Sequence, residues 1–201
     1  VVHVVSSVKF AIKAQAAGVD AIVCEGFEAG GHNGREETTT FTLIPMVKES
    51  VTIPVIAAGG IGNGRGMLAA IVLGADGVQI GSRFAASKES SAHTNFKQTI
   101  LDVKDGDTHL TLKELAPVRL IKNKFYQEIQ ELYKKNPTKE ELISLLGRAR
   151  AKKGIFEGDL DNGELEIGQI AGIINKISSA KDILEEIVTD FETLKKNLKK
   201  K

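Results

Sequence analysis

Apolar residues in the first 86 positions follow two spacings in turn, one of strands and one of helices. Val1–Val5 is a short β-branched run, Asp20–Glu25 and Ile53–Ala58 are nearly continuous apolar stretches, and Gly77–Ile80 completes the series. Runs of this kind suit parallel strands with helices on both faces. Between them Val8, Ala11 and Ile12 share one helical face, and so do Leu43, Ile44 and Val47, then Met67, Leu68, Ile71 and Val72. Ser6–Ser7 and Thr38–Thr40 supply N-caps, while Gly18 and Gly74 end their helices. Residues 26–37 read as a polar, glycine-containing loop.

The pattern repeats. Gly18-Val19-Asp20 and Gly74-Ala75-Asp76 both place a helix-ending Gly two residues before a strand-opening Asp, 56 residues apart, or two units of about 28. Such βα units predict parallel strands joined by right-handed crossovers. Beyond Ala86 helical periodicity takes over, in His93–Val103, Lys124–Lys134, Lys139–Arg150 and Ser179–Leu198, with loops at Asp105–Thr108 and Gly154–Gly168. The expected division is residues 1–104, a run of βα units, and residues 105–201, a mainly helical extension packing on them.

Four parallel strands fit either a doubly wound sheet or half of a (β/α)8 barrel, and periodicity leaves both open. Glycine distribution favours the barrel. The glycine turns follow two consecutive late strands, at Gly59-Gly60 and at Gly81, where TIM-type barrels build phosphate sites. Gly60-Ile61-Gly62-Asn63-Gly64 fits the dinucleotide fingerprint poorly. The fold expected is therefore α/β, the carboxyl-terminal half of a TIM-type (β/α)8 barrel, about strands five to eight, followed by a helical region. The chain opens inside a buried strand and without Met, which predicts natural sequence upstream. Its two outer strands would then be unpaired apolar edges, prone to aggregate.

Composition narrows the function classes. The chain has 201 residues, 42 % hydrophobic and 26 % charged, enough for a sizeable core in one or two domains. A net charge of +1 gives no general attraction to nucleic acid or to acidic membranes. The basic stretch Lys195–Lys201 reads as a solvated helix end. No apolar run approaches the ~20 residues of a membrane span. The single Cys24 excludes an intrachain disulfide and fits a reducing, cytoplasmic setting. No metal site is expected, since His3, His93 and His109 are scattered, and Asp159–Gly163 puts Gly at a ligand position of the calcium-loop pattern.

Three segments can carry chemistry. Glu25–Gly34 (EGFEAGGHNG) follows a strand, where barrel active sites lie, and holds one His suited to proton transfer near neutral pH. Ala57–Ile61 and Gln79–Arg83 are turns whose consecutive N–H groups can cradle an anion, with Ser82 adding a hydroxyl. Two cradles at adjacent strand ends favour a phosphate monoester over a dinucleotide.

EGFEAGGHNG (25–34), PVIAAGGI (54–61), GVQIGSRF (77–84), SSAHTNFK (90–97), VRLIKNKF (118–125) and GDLDNGELEIGQIAG (158–172) resemble, in that order, the family of nitronate monooxygenases and enoyl-acyl carrier protein reductase II. The resemblance implies a barrel binding FMN. By motif, Gly59, Gly60, Gln79, Ile80, Gly81 and Ser82 would hold its phosphate and ribityl region, and Glu25, Gly30 and Gly31 would approach the flavin. Glu25 stands where many monooxygenases have Gln. His32 would be the active-site His, acting on a nitronate or helping to protonate an enoyl thioester carried on acyl carrier protein.

The resemblance puts oxidation of alkyl nitronates by O2 first. The short stretch between His32 and the next strand looks more like the reductase, with NAD(P)H as co-substrate. A truncated, non-catalytic phosphate- or FMN-binding fragment is the third reading. Dihydroorotate- and inosinate-type barrels are disfavoured by the GGH motif. The expected partner is a small molecule, with a homodimer left open.

Overall fold

The computed structural model of the protein describes residues 1–198. Lys199, Lys200 and Lys201, the last part of the basic stretch, lie outside the described residues. Strands β1 (Val2–Val5), β2 (Ala21–Glu25), β4 (Val55–Ala58) and β5 (Gly77–Gln79) form one parallel sheet in the order β1-β2-β4-β5. The intervening helices are α1 (Val8–Ala16), α2 (Thr40–Lys48) and α3 (Gly64–Val72). Ser7 caps α1, accepting from the Phe10 N–H, and Asn63 caps α3, accepting from the Gly66 N–H.

Strand order in space follows strand order in sequence. Any four consecutive strands of the commonest doubly wound order cross the point where that order reverses. Monotonic order is that of a barrel wall. The four strands leave the barrel open, with Val2 and Val4 of β1 half exposed at one edge. Behind the strands Ile22, Cys24, Val55 and Ala57 pack with Ala11, Leu43, Ile44 and Val47 into one continuous apolar core.

The second half departs from the helical expectation. The anticipated helices are present as α5 (Thr94–Asp102), α6 (Lys124–Tyr133), α7 (Lys139–Leu146) and α8 (Ala180–Leu198), and a short α4 (Ser82–Ala85) follows β5. Between α5 and α6, however, lie β6 (Thr108–Thr111) and β7 (Val118–Ile121). They form an antiparallel sheet with β3 (Gly31–His32), in the order β3-β7-β6. Thus β3 interrupts the loop expected over residues 26–37. Neither β3 nor β7 alternates apolar with polar. Two residues, one of them Gly, show no pattern, and all four residues of β7 are buried, Arg119 included. Pairing across the fold makes these strands.

Candidate active site

The carboxyl ends of β2, β4 and β5 lie side by side, as the register pairs Glu25 with Ala58 and Ala58 with Gln79. The turns leaving these ends, with residues 166–170 from the far end of the chain, surround a cavity of about 250 Å3. Of the expected site residues, Glu25, Gly30, Gly31, Gly59, Gly60, Gln79, Gly81 and Ser82 line it. Ile80 packs instead against the apolar core. His32 stands outside the lining, exposed on β3 opposite Val118.

Backbone makes much of the wall. Gly59 has φ +90°, and a Cβ there would lie 2.7 Å from the Gly26 carbonyl oxygen, so the turn after β4 rests directly on the loop after β2. The Ser82 hydroxyl accepts the Gly168 N–H at 3.0 Å, tying the start of α4 to the far segment. Among the described residues its own proton has no acceptor. At Gly81 an added Cβ meets nothing within 4 Å, so that turn opens onto space.

Two acidic residues without an assigned role in the sequence reading also line the cavity, Glu28 and Glu166. The Glu28 carboxylate accepts from the Thr40 N–H at 2.9 Å and from its hydroxyl at 3.0 Å, at the start of α2 where negative charge is favoured. Burial pushes the Glu25 carboxyl above its ordinary pKa, and burial does the same to Glu166, while the charge of nearby His32 acts in the opposite sense. Both residues lie within segments quoted for the resemblance. Glu28 lies three residues beyond the strand end at Glu25, inside the first motif, a signal the sequence offered. Nothing local to Glu166 marks it, because β7 brings it to the site from far along the chain.

The loop carrying Gly30 and Gly31 is fixed by Arg119 of β7. Its guanidinium is buried, lies 4.5 Å from the centre of the Phe27 ring and donates to the Phe27 carbonyl at 2.9 Å. Burial lowers its pKa, and the charges of Glu28 and Glu37 counter that shift. Other candidates separate from the site. Cys24 is buried in the core, its thiol pushed up to about 12 by burial. The His93 Nδ1 accepts from the Asn95 N–H at the start of α5.

The chain is 41 % identical over 162 residues to a probable nitronate monooxygenase of Staphylococcus aureus (strain Newman), an alignment covering 74 % of this chain and 45 % of that protein. It spans about half the length of the curated relatives it matches. Among solved structures, FabK from Thermotoga maritima superposes with a TM-score of 0.90 at 42 % identity, over 98 % of this chain and 62 % of that one. Nitroalkane oxidase from Streptomyces ansochromogenes gives 0.80 at 29 %, over 98 % and 58 %. The fold is that of a TIM-type barrel, to which this chain contributes four consecutive strands and a helical carboxyl-terminal region. The sequence profile of the nitronate monooxygenase family matches residues 1–190, and the chain belongs to that family.

Proposed function

We propose that this chain forms one half of an FMN-dependent oxidoreductase that oxidises alkyl nitronates with O2. The observation that carries the reading is the convergence of three glycine-bearing strand ends on one cavity. The residues fit the cofactor: side-chain-free turns at Gly59-Gly60 and Gly81 admit a phosphate and a flat ring, and Ser82 keeps a free hydroxyl proton for it. FMN, when bound, supplies the electron transfer.

The protein's part is to hold and orient. Gly60, Gln79, Gly81 and Ser82 would bind the phosphate end, and Glu25, Gly30 and Gly31 would approach the ring. His32 holds or moves a proton from the cavity's edge. The higher identity to FabK than to nitroalkane oxidase favours a second reading, the reductase branch of the family, in which NAD(P)H is the donor and an enoyl thioester the acceptor. No helix among the described residues is long and apolar enough to cross a membrane. The cytoplasm is the location we propose, on the reduced Cys24.

The test is to purify the chain joined to the upstream half of a barrel and to follow its flavin spectrum without oxygen. Bleaching by an alkyl nitronate, lost in His32→Ala, supports the first reading. Bleaching by NAD(P)H with reoxidation by an enoyl thioester moves the assignment to the second. Absence of flavin overturns both and leaves a non-catalytic fragment. The 201-residue chain alone, with its open strand edges, is expected to associate and to lack turnover.

A further inference from the structure

The cavity wall holds Glu166 but not His32, and the backbone sets the two next to each other. Strand β7 pairs with β6 along one edge, where Leu120 faces His109. Along its other edge His32 sits opposite Val118 and Gly31 opposite Arg119. The next position on that edge, opposite Leu120, is Glu166, in an isolated antiparallel bridge. His32 and Glu166 are thus two rungs apart along one edge of β7, about 7 Å along it.

Gly31 lies between them and makes room. Its φ is +73°, and a Cβ there would lie 2.8 Å from Glu166 Oε2. The carboxyl group therefore occupies space that any other residue at 31 would take. The charged groups around it are His32 on β3, Glu164 on its own segment, and Glu25 and Glu28 across the cavity. Burial favours the protonated carboxyl, and His32 alone among these favours the ionised one. Among the described residues, no Lys or Arg lines the cavity.

We propose that Glu166 is a further catalytic residue of this site, touching the substrate and exchanging a proton with it, and that His32 is paired with it across the β7 edge. The proposal rests on the cavity being the flavin and substrate site. In the exchange the O–H bond of Glu166 breaks and an O–H bond forms on the substrate oxygen, whether of a nitronate or of a thioester enolate. A solvent water returns a proton to the carboxylate and its hydroxide passes to bulk water, so no further reactant is needed.

Two readouts test it in the barrel-completed protein described above. The first is the titration of the Glu166 side-chain carbon by 13C NMR, with and without His32→Asn. Its midpoint should rise when the imidazole is removed, and an unmoved midpoint overturns the pairing. The second is the pH profile of kcat/KM for Glu166→Gln and Glu166→Asp. The Gln variant should keep its flavin but lose about 100-fold in kcat/KM, together with the pH limb assigned to the carboxyl, and Asp should restore part of both. A Gln variant within twofold of the parent at every pH overturns the catalytic role. If the parent binds no flavin, the functional reading fails, and the NMR titration alone decides the pair.

Discussion

An added Cβ on Gly30 would lie 2.4 Å from the backbone nitrogen of Gly168, so the loop after β2 and the segment leading to α8 touch backbone to backbone. Gly168 also donates its N–H to Ser82, so the same contact positions the start of α4. Any side chain at position 30 must push these pieces apart.

Gly30→Ala should therefore cost about 1–3 kcal/mol of stability, in the range of overpacking a close contact. Flavin affinity should fall by a larger factor than stability, since both sides of the cavity shift. Urea unfolding and a flavin titration on the same variant check this. Unchanged affinity would mean that the contact does not shape the site.

A second prediction concerns Thr40. Its hydroxyl donates to Glu28 and lies within 3.2 Å of the Ala58 carbonyl oxygen and 2.9 Å of that of Gly59. One hydroxyl proton serves these acceptors in turn, joining α2, the β4 turn and the β2 loop. Thr40→Val keeps the shape and removes the hydrogen bond, an expected loss of about 1–3 kcal/mol at a buried site. Thr40→Ser should retain most of the stability. Equal melting temperatures for Val and Ser would contradict the assignment.

These contacts explain how much of the site was legible in the sequence. The strand-end glycines could be read because each follows an apolar run, and a strand end followed by Gly carries a local signature. Four of the later helices could be read from apolar periodicity alone. Strands β3 and β7 could not. Gly31-His32 is too short for any period, and Arg119 in the middle of β7 looks like a surface residue until Phe27 is seen to cover it. Missing β7 also meant missing Glu166, whose segment is bridged to Leu120 and tied to the cavity by the Gly168 N–H on Ser82. Local pattern marks residues within a few positions of a strand end, whereas pairing between distant segments leaves no local trace.

Arg119 supplies a third prediction. It is 2 % exposed, and its guanidinium both covers the Phe27 ring and satisfies the Phe27 carbonyl. Arg119→Met fills much of the volume but leaves that carbonyl without its partner. The expected cost is about 2–4 kcal/mol, combining a lost charged hydrogen bond with a lost cation–ring contact. Amide exchange in the Phe27–His32 loop should accelerate more than in β2. Uniform acceleration would point to a general loss of packing.

The last prediction follows the acidic segment to Glu164, whose carboxyl is buried beside Glu166 and pushed up to about 7, with Arg150 acting weakly against the shift. Its ordinary value is 4.5, so the unfolded chain gives up this proton first as pH rises. Between about pH 4.5 and pH 7 the folded state holds more protons than the unfolded one, and folding stability falls with rising pH. The raised value of Glu166 adds to this with the same sign. Asp20 and Asp76 have lowered values, and their stabilising contributions change only at lower pH. Glu164→Gln mimics the protonated form at every pH. The parent's melting temperature should fall between pH 5 and pH 8, and the Gln variant should lose a few degrees less, on the order of 1–2 kcal/mol after allowing for solvent screening. Parallel curves for the two proteins would show that Glu164 does not stay protonated in the folded state, and that its carboxylate finds a partner when ionised.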